Sequence, residues 1–302
     1  MIVMILIMVM LITSCGRNKK PKSLEETEIL QQESAPVSLD EQDPMQEDLV
    51  DLANPPKPEW KPSMYLTDDE IAALDNTQIV WGPGPFMDEQ NRPTACVALQ
   101  EQYGKYDTWF IKGDEKKIYL TFDEGYENGY TPKILDALKE AGVSAVFFVT
   151  MDYVVSEPEL VQRMIDEGHV VGNHSVHHPN MTTLSVEEMR EEIMGLHDYI
   201  KENFGGYEMF LFRNPEGAIS DRAMAVAQSL GYQTTMWSYA YLDWDVNNQM
   251  DPAQALEKTV GALHPGAVYL LHAVSSTNAA IIQDFVAQAE AQGYEFVKWT
   301  RG

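Results

Sequence analysis

The stretch that determines the fold is residues 117–149, KIYLTFDEGYENGYTPKILDALKEAGVSAVFFV. It begins and ends with short runs rich in β-branched and aromatic residues, which are typical of buried strands. Between these runs, Thr131-Pro132 marks the start of a helix, because proline is tolerated in the first helical turn, and Gly142 marks its end. A strand, a helix and a second strand in this order predict a parallel βαβ unit.

The same alternation continues to the end of the chain. About seven apolar runs are separated by helical patterns, namely KIYLTFD, VSAVFFV, HVVGNHS, MFLFRNP, QTTMWSY, AVYLLHA and YEFVKW. Nearly every run is strongly apolar, as expected of parallel strands that are covered on both faces. We therefore predict an α/β fold in which the parallel sheet closes into a barrel.

The amino end has the pattern of an export signal. Residues 1–12, MIVMILIMVMLI, are apolar but shorter than the ~20 residues that a membrane span needs. They are followed by Thr13-Ser14-Cys15, and Ile12 to Cys15 resembles the lipobox of bacterial lipoproteins, whose cysteine receives a diacylglyceryl group. We predict a lipoprotein signal peptide over residues 1–15 with lipidation at Cys15, although no basic residue precedes the apolar run. An uncleaved anchor is the alternative.

The next segments differ sharply in composition. Residues 16–60 are predicted to be a disordered acidic linker, because residues 23–56 contain ten Asp or Glu and no Lys or Arg. Residues 61–112 carry several aromatic residues and are predicted to be an ordered, loop-rich lead-in packed on the barrel, which leaves residues 113–302 as the catalytic domain. The net charge of -26 argues against binding to nucleic acid, which requires a basic surface.

Polar side chains follow the ends of several predicted strands. In parallel barrels, these ends converge on one face, where the chemistry takes place. The residues at such positions are Asp123, His174, Arg213 and His272. The sequence therefore predicts one site that combines a carboxylate, imidazoles and a guanidinium.

His174 and His178 are candidate metal ligands in a turn after a strand. Two imidazoles and one carboxylate leave open positions on a divalent metal, as a catalytic site requires. Zinc suits these ligands, and cobalt, nickel and manganese are also compatible with them. The alternative is that both histidines are surface residues of a polar loop.

The neighbouring carboxylates Asp123 and Glu124 can take separate tasks, because adjacent residues of a strand point in different directions. One would bind the metal, and the other would take a proton from the attacking water while Arg213 holds it bidentately. A structural Asp–Arg pair is the alternative. His272 is a candidate general acid or else a core histidine, and Trp244 and Leu271 are expected to wall a small apolar pocket.

Five short motifs resemble those of the polysaccharide deacetylases, carbohydrate esterase family 4, over roughly residues 113–299. They are TFDE at 121–124, HSVHHP at 174–179, RNP at 213–215, DW at 243–244 and LLH at 270–272. Longer strings, such as TFDEGYENGYT, resemble the δ-lactam-biosynthetic branch, which removes acetyl groups from muramic acid in peptidoglycan. The resemblance implies a distorted (β/α)7 barrel with Asp123 as the catalytic base and His272 as the acid. It also implies that Arg213 holds the base and that the metal is bound by three residues, namely Glu124, His174 and His178.

The chain departs from the family pattern at three positions. Glu124 stands where the family has Asp, which would shift or weaken the metal. Ala240 replaces the first carboxylate of the Asp-x-x-Asp-Trp motif, the one expected to orient the histidine, so that only Asp243 remains for a catalytic role. Glu216 replaces an aromatic residue and changes the charge that faces the sugar.

These observations predict a metal-dependent hydrolase that removes N-acetyl groups from peptidoglycan, with muramic acid as the expected sugar. It would be anchored by lipid at the outer face of a bacterial cell membrane and act on the glycan strand, and the sequence implies no partner protein. The alternatives are a non-catalytic wall-binding module on the same fold, a deacetylase of another N-acetylglucosamine polymer, and a glycosidase that pairs Asp123 with Asp243 or Glu216.

Overall fold

A computed structural model describes residues 66–301 of the chain. The predicted signal peptide at 1–15, the linker at 16–60 and the first residues of the lead-in lie outside the described residues. Within residues 66–301, no helix combines the length and the apolar character needed to cross a membrane.

The seven apolar runs form seven parallel strands, which confirms the predicted α/β fold. The strands of residues 66–301 are β1 (Ile79–Val80), β2 (Thr108–Trp109), β3 (Lys117–Glu124), β4 (Val146–Val149), β5 (Val170–Asn173), β6 (Leu211–Phe212), β7 (Ala218–Ile219), β8 (Gln233–Thr235), β9 (Ala267–His272) and β10 (Glu295–Phe296). Of these, β1, β2 and β7 have no counterpart among the predicted runs.

The parallel sheet curls into a distorted barrel. Strands β3, β4, β5, β6 and β8 are neighbours in that order, and β9 pairs with the other edge of β3. A single bridge between Tyr239, just after β8, and Tyr269 of β9 connects the two ends of the sheet. Because this last link is one bridge rather than a full strand pair, the barrel is irregular at that point. Strand β10 pairs only with the first two residues of β3.

Helices cover the outside of the sheet and return the chain between parallel strands. They are α1 (Asp68–Ala73), α2 (Thr94–Tyr103), α3 (Thr131–Ala141), α4 (Met151–Ser156), α5 (Pro158–Asp166), α6 (Val186–Asn203), α7 (Asp221–Ser229), α8 (Pro252–Gly261) and α9 (Ser276–Ala291). Sequence signals explain several of the helix ends. Ser185 and Glu188 form a capping box at the start of α6, Asp251 caps α8, and Gly142 ends α3 in the left-handed conformation.

The lead-in is more regular than the loop-rich segment predicted from sequence. Its strand β2 adds to the barrel sheet beside β8, and β1 pairs antiparallel with β7. The indole of Trp81 is buried and donates a hydrogen bond to the carbonyl of Trp237 over 2.9 Å. These contacts depend on residues far apart in sequence, so local patterns in the lead-in did not predict them.

Candidate active site

The strand ends carry a group of polar side chains into one cavity of about 610 Å³. Asp123 is the last residue of β3 whose side chain faces the cavity. In the strand register it lies opposite His272, the last residue of β9. His174 follows β5 directly, and Arg213 follows β6. Parallel strands end at the same face of a barrel, which explains why positions separated by up to 149 residues meet here.

The carboxylate of Asp123 is held from two sides. The buried guanidinium of Arg213 donates one hydrogen bond, from Nη1 to Asp123 Oδ1 over 2.7 Å. The second carboxylate oxygen, Oδ2, lies 3.5 Å from Nε2 of His174. Two further donors of Arg213, Nε and Nη2, bind the carbonyls of Thr235 and Met236, so Asp123 receives a single bond rather than the predicted bidentate clamp.

The charges around Asp123 keep it ionised. Burial on its own would raise the pKa of this carboxyl, but the guanidinium of Arg213, with His174 and His272, outweighs burial and lowers the pKa below its ordinary value. A carboxylate that is ionised at neutral pH and faces a cavity can accept a proton from a bound water.

Close packing below Arg213 fixes its position. The guanidinium carbon lies 4.2 Å from the centre of the Phe148 ring. The same ring packs on Gly172 of β5, where an added Cβ would come within 2.5 Å of it. Only glycine at residue 172 leaves room for the ring in this position, and the ring in turn supports the arginine.

His174 and His178 converge on one point, as predicted for a pair of metal ligands. Their Nε2 atoms are 3.1 Å apart. The carbonyl of Arg213 accepts a hydrogen bond from His174 Nδ1 over 2.9 Å, which leaves a lone pair on Nε2 of the neutral ring. Burial lowers the pKa of His174 to about 4, so this ring is neutral at pH 7.

A strained turn brings His178 back to His174. Ser175 and His178 both have positive φ angles, 71° and 55°, which are uncommon for residues other than glycine. The Asn173 side chain accepts a hydrogen bond from the Ser175 amide, and Ser175 Oγ accepts one from the His178 amide, both over 2.9 Å. These bonds compensate for the strain and set the spacing of the two rings.

The pair of histidines fits a divalent metal, whereas Glu124 does not. Two metal–nitrogen bonds of about 2.1 Å span roughly 3.0 to 3.4 Å at right-angled or tetrahedral geometry, which matches the pair. Within residues 66–301, no group of three or more His, Cys, Asp or Glu side chains is arranged to hold a metal. The carboxylate that approaches His174 belongs to Asp123.

Glu124 lies on the opposite face of β3, so its prediction as a third ligand needs correction. Its side chain is fully buried, does not line the cavity, and has no hydrogen-bond partner for either oxygen. Burial, reinforced by the charges of Glu127 and Asp123, raises the pKa of Glu124 well above its ordinary value. These conditions favour a neutral acid, which is a poor metal ligand.

Asp243 orients His272, a role that the sequence had assigned to the carboxylate missing at Ala240. Its Oδ1 is 2.7 Å from His272 Nδ1, and its Oδ2 accepts hydrogen bonds from the His272 amide and from the Asn278 side chain. Burial opposes a charge on the imidazole, but the hydrogen bond and charge of Asp243, with Asp123, raise the pKa of His272 above its ordinary value. A histidine held in this way is suited to donate a proton.

The walls of the cavity agree with the predictions in part. Trp244 and Glu216 line it as expected, and Trp244 is 57 % exposed at its rim. Leu270, rather than the predicted Leu271, forms the apolar wall, because residues two apart on β9 share a face and Leu270 therefore lies on the side of His272. That period of two was a usable signal in the sequence. Other lining residues were not predicted, namely Asn214, Gly217, Trp237, Ala240 and Tyr241.

A family match, a sequence relative and a solved structure all point to the same family of proteins. Residues 111–235 match the polysaccharide deacetylase family. The chain is 41 % identical over 228 residues to the peptidoglycan-N-acetylmuramic acid deacetylase PdaA of Bacillus subtilis, covering 75 % of this chain and 86 % of that protein. The structure of that family 4 carbohydrate esterase superposes with a TM-score of 0.71 at 40 % identity, covering 74 % of this chain and 96 % of the other.

A less similar structure belongs to a pseudoenzyme of the same esterase family from Bacillus anthracis. It superposes with a TM-score of 0.59 at 28 % identity, over 63 % of this chain and 66 % of that one. The fold therefore occurs with and without activity, and the side chains of the cavity must decide between the two. The conserved architecture, the five motifs and the similarity to PdaA together show that this chain belongs to the polysaccharide deacetylases, carbohydrate esterase family 4.

Proposed function

We propose that the protein removes N-acetyl groups from amino sugars of peptidoglycan, with muramic acid as the preferred sugar. The observation that carries this proposal is the arrangement of Asp123, between Arg213 and the histidine pair, opposite His272 in one cavity. A base and an acid at the ends of neighbouring strands, with both side chains in one cavity, suit the hydrolysis of an amide. The similarity to a muramic acid deacetylase supports the choice of sugar.

The side chains have complementary tasks in the hydrolysis. Asp123, kept ionised by Arg213, takes a proton from the water that attacks the acetamide carbonyl. His272, whose pKa Asp243 raises above its ordinary value, gives a proton to the departing nitrogen, and the products are a free amino sugar and acetate. Leu270 and Trp244 form the apolar wall of the cavity in which the reaction would take place.

Deacetylases of this family generally use a divalent metal, and His174 and His178 would hold it here. When bound, the metal supplies Lewis acidity toward the carbonyl and lowers the pKa of a water. We propose zinc, because it suits imidazole ligands, with cobalt, nickel or manganese as the alternatives. The distance of Glu124 from the cavity leaves the third protein ligand to Asp123 or to none.

The competing functions have less support. The non-catalytic module rested on Glu124 and Ala240, but Asp243 already orients His272, so the missing carboxylate at residue 240 removes no catalytic contact. A glycosidase would need a second carboxylate free to act on the sugar, and Asp243 is buried against His272 and Asn278. Glu216 lines the cavity and is therefore the one carboxylate among residues 66–301 that could pair with Asp123 in a glycosidase.

Mass spectrometry of treated glycan fragments tests the proposal. Peptide-free fragments incubated with the purified protein should lose acetyl groups from muramic acid, and a chelator should stop the loss. Acetyl loss from glucosamine alone would instead favour a deacetylase of another polymer, and cleaved glycosidic bonds that persist with chelator would favour the glycosidase. Glycan binding without released acetate would select the non-catalytic module.

The hydrogen bond from His272 to Asp243 predicts a pH effect. Asp243→Asn removes the negative charge that raises the pKa of His272, so the imidazole should lose its proton at lower pH. The alkaline limb of the kcat profile should therefore move to lower pH, with a rate loss of about tenfold or more at pH 8. Rates measured between pH 5 and 10 check this, and the exposed residue Asp284 provides a matched Asn variant that should leave the profile unchanged. If the alkaline limb of the kcat profile does not move in Asp243→Asn, that limb belongs to a group other than His272.

We also propose that the protein is a lipoprotein on the outer face of the bacterial cell membrane. The support is the sequence of residues 1–15, with Cys15 after a short apolar run, and the activity on peptidoglycan, which lies outside the membrane. Two acyl chains on such a cysteine suffice for stable anchoring. The basic residues Arg17, Lys19, Lys20 and Lys22 next to it would add attraction to an anionic membrane, whereas residues 23–56, with no Lys or Arg, offer none.

Cys15→Ser should release the protein from membranes, because the thiol is the group that becomes alkylated. Fractionation of cells, with a mass measurement of the amino terminus, checks this, and a Cys96→Ser variant should stay at the membrane because that cysteine is buried in the fold. A membrane-bound Cys15→Ser protein without residues 1–12 and without lipid would contradict the lipoprotein proposal. Retained residues 1–12 would favour the uncleaved anchor.

A further inference from the structure

A second cavity of about 300 Å³ lies beside the catalytic cavity. It lies between the lead-in loop that contains Met87 and Asn91 and the helix α8 that contains the exposed residue Lys258, and it is open to solvent; we call it the lead-in cavity. Ala240 lines both cavities, so the two adjoin at this small side chain. A substituent that leaves the catalytic cavity beside Ala240 would reach the lead-in cavity.

The two cavities differ in the charged side chains that line them. Lys258 is the one charged side chain that lines it, whereas Asp123 and Glu216 line the catalytic cavity. Within residues 66–301, Lys258 forms no ion pair shorter than 4.0 Å. Its ammonium lies 5.9 Å from the ring centre of Tyr241, a residue of the catalytic cavity. In a chain of net charge -26, this ammonium next to the site favours an anionic ligand group.

We propose that the lead-in cavity binds the lactyl carboxylate of the muramic acid whose acetamide lies in the catalytic cavity, with Lys258 as its ion-pair partner. This inference rests on the proposed function and adds the residues that select the sugar. Muramic acid carries its lactyl ether on the ring carbon next to the acetamide, so the two groups project from one edge of the sugar. With the acetamide between Asp123 and His272, the lactyl group needs an adjoining space.

The charges select which space that is. Glu216 carries an exposed carboxylate on the catalytic side and repels the lactyl carboxylate from there, whereas Lys258 attracts it into the lead-in cavity. Ala240 is small and neutral at the junction, so it neither blocks nor repels the group. Glucosamine has no such carboxylate and gains nothing from Lys258, so these residues favour muramic acid over glucosamine.

The test compares three glycans that differ at the carboxyl group. One carries free lactyl carboxylates, in the second these are reduced to alcohols, and in the third they carry stem peptides, which place carboxylates farther from the ring. For each, kcat/KM is measured by acetate release and Kd in the Asp123→Asn background. The wild-type protein should prefer the free carboxylate over the alcohol in both measurements.

Lys258→Gln should lower this preference by about tenfold, and Ala240→Asp should lower it as well by placing a negative charge at the junction. Lys258→Arg should retain most of it, and Lys105→Gln, on an exposed lysine of the lead-in, should leave it unchanged. The inference is overturned if Lys258→Gln prefers the free carboxylate over the alcohol as strongly as the wild type does. It is also overturned if Lys258→Gln weakens binding and turnover only for the peptide-bearing glycan. If no glycan releases acetate, the proposed function fails, while the binding preference still decides this inference.

Discussion

Asp123→Asn is expected to reduce kcat by about 10² to 10⁴-fold, the usual contribution of a general base. The amide keeps the shape of the side chain, and its oxygen can still accept the hydrogen bond from Arg213, but it cannot take a proton from water. The histidine pair is untouched, so bound metal should remain. Acetate release and metal content, measured on the same preparation, check both parts of this expectation.

Asp136→Asn is the matched control for this variant. Asp136 also pairs with an arginine, Arg163, over 2.6 Å, but on an exposed surface away from the cavity, so its loss should leave kcat unchanged. Near wild-type turnover in Asp123→Asn would move the base to another residue, with Glu216, the other carboxylate that lines the cavity, as the first candidate. Loss of metal together with activity would instead identify Asp123 as a metal ligand. Its Oδ2 is close enough for that role, because it lies 3.5 Å from His174 Nε2.

His174→Ala and His178→Ala are each expected to remove bound metal and activity together. Each substitution deletes one of two imidazoles that converge at 3.1 Å, and one imidazole with or without Asp123 would be a much weaker set of ligands. Metal per chain, determined by elemental analysis, and acetate release should fall in parallel. Circular dichroism separates this from misfolding, since His174 also holds a hydrogen bond to Arg213.

His177→Ala gives a control within the same turn. His177 is exposed and contacts Glu192 rather than the cavity, so its loss should leave both metal and rate unchanged. Full metal content and full rate in either His174→Ala or His178→Ala would refute the metal assignment. Loss of rate with metal retained would make the imidazole a substrate contact instead.

Much of the fold was predictable from sequence because its signals are local. The seven apolar runs became seven strands, since short β-branched and aromatic segments between helix caps have few other ways to be buried. Their parallel arrangement then placed Asp123, His174, Arg213 and His272 at one face without any knowledge of distances. Closure by the single bridge from Tyr239 to Tyr269 was not predictable, because it depends on the curvature of the whole sheet.

The sequence by itself determined which residue types gather at the strand ends, and so the chemistry available to this protein. Only the tertiary structure decided which of these side chains line the cavity and which of them contact one another. Alternation separated Asp123 from Glu124, but the direction in which the sheet curls made one line the cavity and buried the other. The loop after β8 brought Asp243 to His272, and the lead-in placed a second cavity beside Ala240. These are contacts between distant segments, and they follow from the packing of the folded chain rather than from any local pattern.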